Sequence, residues 1–467
     1  MTSPNFINDC FKQALKQLSE IKIFSDSDSW IEENNPYRRS IRPQVFKHLS
    51  FSKPLARQEV LDYHSMAANR ILLTAYETEF VFLPETGFKS IQDDFQDFYS
   101  PETSTLMALV RPKLERFLFG FLETEIRVTG NWTADLFRQY AEEFISSTLD
   151  ETEENKAMNA IVSSRNPTEA AKAFLIQLAG DFLVESSAMA RNLPGSYGPI
   201  QSELFKVVID EYGFGVHETK HSTLFEDVMK SVGLNHRPHA YWQFYLTSSL
   251  LLNNYFNDLC RNHSKFFRYM GAIFWAETTF IKTCADMAKM MRVVFGPTAE
   301  VKYFAEHAHI DEHHSRMALE KLVMASIKQH GNHVIEEIVR GIEEAKLLAS
   351  IADDDFIRQI HWSDNADYYK SLAPQVHAAI DGCSEVPVQR IVEPRGELSV
   401  CHVHDGDELC WIESGTMKFV TGQNQSTLLH AGEGTVIEAN RLHGAIIESE
   451  ECVYHIHSIK DHKLWLS

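Results

Sequence analysis

The sequence predicts a multidomain α plus β protein, a long helical region followed by a small C-terminal β-barrel. Three observations carry this. The chain has 467 residues, too many for one hydrophobic core. From residue 1 to about 350, apolar residues recur at three- and four-residue spacing with few Pro or Gly inside the periodic stretches. Beyond Glu385 the period changes to short β-rich runs bounded by Gly, Asn and Asp at roughly ten-residue intervals.

In chain order, Phe11, Leu15, Leu18 and Ile21 fall at helical spacing, and the N-terminus lacks the basic-then-apolar pattern of a secretion signal. Breaks are expected at Asn192–Pro199 (NLPGSYGP), Asn235–His239 and Phe295–Thr298. The β-rich runs are VPVQRIVEP, ELSVCHVH, ELCWIESG, TMKFVTG, STLLHAGEG, GTVIEAN, GAIIES and CVYHIHSI. Ser363–Glu385 reads as a linker. These features divide the chain into 1–135, 136–370 and 385–467, the first boundary resting on the helical pattern alone.

The hydrophobic fraction of 44% and charged fraction of 23% are those of a globular protein. No apolar run reaches the roughly 18 residues of a membrane span. A formal net charge of −21 argues against nucleic acid and is compatible with a small cationic substrate. Seven scattered cysteines without a CxxC pair suggest reduced thiols and a cytoplasmic location.

Two sets of residues point to metal chemistry. In the β-rich part, Gly396-x5-His402-x-His404-x3-Glu408-x6-Gly415 places two histidines two apart on a strand, so both face one side. Neutral imidazoles there can take a divalent first-row metal. This resembles the first cupin motif at every defined position. Gly432-x5-Glu438-x-Asn440-x2-His443 follows the second, with Glu438 for Pro, Asn440 for Gly and Ile447 for the final Asn. Asn tolerates the left-handed backbone that the turn needs. The resemblance implies a cupin barrel with His402, His404 and His443 as metal ligands. Glu408 stands at the family's fourth-ligand position, and a three-histidine site with Glu408 turned aside is also open.

The second set lies in YFAEHAHIDEHHSRMALEKL. A solvated charged face is the plain alternative, and helical geometry separates the candidates. His307, Asp311 and His314 sit at i, i+4 and i+7, within about ±40° at 100° per residue. Their stripe continues into Tyr303, Phe304, Ile310, Ala318 and Leu322, so they face a core, where unpaired polar groups are costly. His309, Glu312, Arg316 and Glu320, with Glu306 and His313 at the margin, form the solvated side. Glu277 in YMGAIFWAETTFI and Glu185 in FLIQLAGDFLVESSAMA are isolated carboxylates on apolar helices, candidate ligands rather than satisfied core acids. Either His217 or His221 can add an imidazole, and Glu211 reads equally as a ligand or a solvent-facing acid.

Carboxylates and imidazoles meeting inside a helical bundle is the architecture of carboxylate-bridged di-iron sites. The doubled Glu-x-x-His of ferritin-like bundles is absent. The order Glu … His … Glu … His-x3-Asp-x2-His is instead similar to haem-oxygenase-like di-iron oxidases. Such a domain followed by a cupin resembles, over essentially the whole chain, the N-nitrosourea-forming enzymes of streptozotocin-type biosynthesis. That resemblance implies Glu185, Glu211, His221, Glu277, His307, Asp311 and His314 as di-iron ligands, favouring His221 over His217. It implies Fe(II)/Fe(III), two in the helical domain and one in the cupin, with O2 as co-substrate. It further implies a guanidine amino acid substrate, an external electron donor, and a homodimer formed through the N-terminal helices. Related di-iron domains hydroxylate other amines, which leaves an N-oxygenase with an accessory or sensing cupin as the alternative.

Overall fold

The computed structural model describes residues 4–31, 34–48, 51, 53–381 and 383–466. The N-terminal helix Pro4–Leu18 buries Phe11, Ala14, Leu15 and Leu18 and packs on the helix Pro101–Phe119. The segment between it and Tyr63 departs from the expected helix. Among its described residues it holds only short 3-10 turns, because the Ser, Asp, Asn and Pro of this stretch compete for the backbone or cannot donate to it. Helices then run on to Ile380, with breaks around Asn192–Pro199, Asn235–His239 and Phe295–Thr298. One apolar cluster extends from Phe11 through the central helices to Leu442.

The central helices are organised by the crossing of Phe266–Phe295 with Ile335–Asp364. A Cβ at Gly271 would collide with the carbonyl of Ile338, and one at Gly341 with the carbonyl of Arg268. Glycine at both points lets the two backbones touch. The first of these helices also packs along Lys302–Met317, which sets Glu277 opposite His314.

The C-terminal part is a cupin-like pair of antiparallel sheets. Its strands are β1 (Val388–Pro394), β2 (Leu398–His402), β3 (Asp407–Ser414), β4 (Thr416–Gly422), β5 (Gln425–His430), β6 (Gly434–Ile437), β7 (His443–Ile447) and β8 (Glu451–Lys460). They are ordered β1-β8-β3-β6 and β2-β7-β4-β5. Cys410, Ile412, Met417, Phe419, Ile437, Ile447 and Tyr454 fill the space between them.

The expected linker is mostly helix. Ala366–Ile380 follows Asp364 almost directly and packs on β6 and β3, burying Ala373, Val376 and Ile380 with Leu409, Val436 and Ile459. Its apolar stripe outweighs the break that Pro374 suggests. The barrel is held to the helical body by a buried Arg441–Asp355 ion pair at 2.7 Å. Gln359 adds hydrogen bonds to the carbonyls of Thr421 and Leu442.

Candidate metal centres

The helical centre is assembled from four segments. His307, Asp311 and His314 are all buried on Lys302–Met317, while His309, Glu312, His313, Arg316 and Glu320 are exposed, dividing the helix as its periodicity predicts. Glu277 is buried in the middle of Phe266–Phe295. Glu211 is the last residue of the helix Pro199–Glu211 and is 6% exposed, and His221 is the first of His221–Ser231. Between them the chain reverses through Gly213, Phe214 and Gly215, all at positive φ. A Cβ on Gly213 would strike the backbone of Thr219 and Lys220. His217 lies on this reversal, exposed, away from the other candidates.

Glu185 differs from its expected setting. The helix Pro167–Phe182 ends before it, and Glu185 sits on a turn beside Ser186, which has φ 63°. The turn frees its carboxylate to reach His307.

Two groups of donor atoms result, each with all atoms within 4.8 Å of one another: Glu185, Glu211, His221 and His307, and then Glu277, Asp311 and His314. In the first, His221 Nδ1 is 2.7 Å from Glu211 Oε2 and 3.1 Å from His307 Nε2, and His307 Nε2 is 3.3 Å from Glu185 Oε1. In the second, His314 Nδ1 is 3.3 Å from Glu277 Oε2 and 3.5 Å from Asp311 Oδ1. Glu211 joins them, its Oε1 lying 4.0 Å from His314 Nδ1.

The non-facing nitrogens are tied down. His307 Nδ1–H donates to the Tyr303 carbonyl at 3.0 Å, and His314 Nε2–H to Asp210 at 2.9 Å, while the Tyr303 hydroxyl donates to Glu185 at 2.8 Å. These contacts aim one lone pair of each imidazole into the cluster. Asp210 and the hydroxyl of Tyr303 escaped the sequence reading, Asp210 because it reads as an ordinary acid at a helix end. The helix beyond His314 widens into a π-turn at Ala318–Val323, another feature with no sequence signal.

The electrostatics are those of a site that would take a cation. Burial alone would lower the pKa of His314, but the neighbouring carboxylates of Asp311 and Glu277 raise it to about 11. Burial pushes Asp311 up to about 8. Burial also opposes protonation of His307, and Glu185 and Glu211 overcome it. Glu185 Oε2, both Asp311 oxygens and His314 Nδ1 are buried without a hydrogen-bond partner. Such atoms are expensive to leave unpaired, and a cation would satisfy them together.

In the barrel, His402 pairs across the sheet with His443, and His404 follows just beyond the end of β2. The ring centroids of the three lie 4.7–5.1 Å apart, and the Nε2 atoms of His402 and His404 are 3.1 Å apart. Two imidazole nitrogens bound at right angles to one metal, at about 2.1 Å each, would be about 3 Å apart. His402 Nδ1–H donates to the Val400 carbonyl at 2.7 Å and His443 Nδ1–H to the Arg441 carbonyl at 2.9 Å, leaving Nε2 as the free lone pair.

Burial lowers all three pKa values, His404 to about 4 and His443 to about 3, so neutral imidazoles face one another. Glu408 has its Oε2 3.1 Å from His404 Nε2, and burial raises its pKa to about 7. The triad and Glu408 line a cavity of about 360 Å³ with Phe419, Tyr454 and Ser458.

The ten residues that the resemblance implies as ligands are therefore gathered into two places, seven in the helices and three in the barrel, while His217 stands apart. A helical bundle lined by buried carboxylates and imidazoles defines an iron-containing redox enzyme of the haem-oxygenase-like kind, and the family model described as iron-containing redox enzyme matches residues 172–349. The chain is a non-haem iron oxidase. Over its length it belongs to the family of nitrosourea synthase from Streptomyces achromogenes subsp. streptozoticus, to which it is 49% identical over 453 residues. That match spans 97% of this chain and 96% of the relative.

Proposed function

We propose that this enzyme N-hydroxylates the guanidine of Nω-methyl-L-arginine at its helical centre, at Nδ and then at the terminal unmethylated nitrogen. The cupin then rearranges the dihydroxylated guanidine oxidatively to an N-nitrosourea amino acid. The observation that carries this reading is the presence of two chemically different donor sets in one chain. Four carboxylates and three imidazoles are buried together in the helices, whereas three neutral imidazoles line an open cavity in the barrel. The 49% relative, named for nitrosourea synthesis over the same length, supports it.

In the helical domain, Glu185, Glu211, His221, Glu277, His307, Asp311 and His314 would hold two irons, with Glu211 between them. In the barrel, His402, His404 and His443 would hold one. Iron, when bound, supplies the activation of O2, with electrons from an external donor. The chain's own residues do the rest. Tyr303 and Asp210 orient Glu185 and His314, and the apolar helices around them exclude bulk water. The side chain of Asp181, four residues before Glu185, is exposed and makes no hydrogen bond or ion pair among the described residues. It is the acid that this side of the site offers to a guanidinium. Three histidines, against a full ligand shell, leave room for substrate in the barrel cavity.

The test supplies anaerobic Fe(II)-loaded protein with Nω-methyl-L-arginine, then O2, and follows products by mass. Hydroxylated arginine followed by nitrosourea is expected. A His402→Ala/His404→Ala chain should stop at the hydroxylated stage. Absence of any hydroxylated product overturns the substrate, and full nitrosation by the double variant overturns the role of the cupin.

A further inference from the structure

Strand β2, which ends at His402, is an edge strand. It pairs only with β7, and the pairing breaks register between Ser399 and His402. Two of the three barrel histidines therefore sit on the least supported segment of the sheet, where one side of the backbone has no strand to bond. His404 lies beyond the ladder altogether.

That open side is covered by the helix Tyr63–Glu77 from the N-terminal region. The Tyr63 N–H donates to Asp405 Oδ1 at 3.0 Å, immediately after His404. Arg70 Nη2 donates to the carbonyl of Cys401 at 3.1 Å, immediately before His402. Tyr63 and Arg70 are seven residues apart, two turns and about 10.5 Å along one helix face. Cys401 and Asp405 are four residues apart, about 13 Å if extended. The helix and the His402–His404 segment thus run side by side and are pinned at both ends.

Between the pins, the Tyr63 ring lies 5.8 Å from the His402 ring and 6.5 Å from that of His404. Its hydroxyl accepts from Arg42 Nη1 at 3.2 Å. Arg70 is 2% exposed and makes no ion pair among the described residues. Burying a guanidinium without a carboxylate is costly, and its bonds here go to the backbone of Cys401 and, at 3.4 Å, Gln243.

We propose that the helix Tyr63–Glu77 is a positioning element of the cupin metal centre, with Arg70 and the Tyr63–Asp405 contact holding His402 and His404 at chelating distance. The N-terminal region thereby acts on the second metal site of the chain, far away in sequence. The inference rests on reading the triad as a metal site.

It is tested on the full chain carrying His221→Ala, His307→Ala and His314→Ala, which strips imidazoles from both helical donor groups, so that Co(II) titration reports the cupin. Arg70→Met and Asp405→Ala should each weaken Co(II) binding by about 10–100-fold, as loss of a ligand's supporting contact does. Asp405→Asn, which keeps the accepting oxygen, should stay within about twofold. Thermal melting of Asp405→Ala should match the parent, since Asp405 is exposed. Parent-like Co(II) affinity in Asp405→Ala overturns the proposal, and does so even where Arg70→Met fails to fold. Absence of Co(II) binding in the parent itself would refute the metal reading of the triad instead.

Discussion

Acidification should empty the helical centre while leaving the cupin loaded. At pH 7 His314 carries its proton on the side of the cluster, because Asp311 and Glu277 overcome its burial and raise the pKa to about 11. A metal has to expel that proton. Four pH units below the pKa, this costs about 5 kcal/mol, and each unit of rising pH returns about 1.4 kcal/mol, a tenfold gain in affinity. His307, also raised, steepens the dependence if its proton leaves in the same step. The barrel works the other way. His404 and His443 are already neutral above about 4 and 3, and burial lowers His402 as well, so no proton stands in the metal's place. Equilibrium dialysis against Co(II) from pH 6 to 8.5 measures both. The His402→Ala/His404→Ala chain should show affinity rising at least one decade per pH unit. The chain carrying His221→Ala, His307→Ala and His314→Ala should be flat if the three cupin histidines act alone. Participation of Glu408, whose pKa is raised to about 7, would add one decade per unit below that pH, and Glu408→Gln would remove it. A flat profile for the helical centre refutes the reasoning.

Other substitutions separate neighbouring residues. His221→Ala should abolish metal binding at the first helical group, whereas His217→Ala, exposed on the reversal loop, should leave metal content unchanged by elemental analysis. Asp210→Ala removes the acceptor of His314 Nε2–H and should weaken helical metal binding about 10–100-fold with no effect on the cupin. Gly341→Val drives a side chain into the Arg268 carbonyl, and denaturant unfolding should show a loss of at least about 1–3 kcal/mol.

What could be read from the sequence follows the length scale of each feature. The barrel triad was legible because a strand's two-residue period places His402 and His404 on one face, and its eight β-rich runs correspond to the eight strands. The split between the buried and solvated faces of Lys302–Met317 was legible for the same kind of reason. Glu211 was not, since it depends on a chain reversal, and Glu185, singled out as an isolated carboxylate, sits on a turn rather than on the helix expected for it. The positive-φ turn at Gly213–Gly215 swings His221 back to Glu211, and the turn at Ser186 lifts Glu185 off its helix. Neither has a periodic signature. The segment after Ser363, expected as a linker, is mostly helix because Ala373, Val376 and Ile380 have a barrel face to bury against.

The two centres also differ in what holds them. The helical ligands come from the crossing of long helices whose contact at Gly271 and Gly341 leaves little freedom, so that site is set by the core of the protein. The barrel ligands sit on an edge strand, and their bracing comes from a helix more than 300 residues earlier. A cupin cut from this chain would therefore keep its three histidines but lose the contacts that flank two of them. The joining of the two domains thus has a structural reason apart from the proposed reactions: residues of the helix Tyr63–Glu77 bond the chain on either side of His402 and His404, and the seam at Arg441 and Asp355 fixes the neighbouring β7 to the bundle.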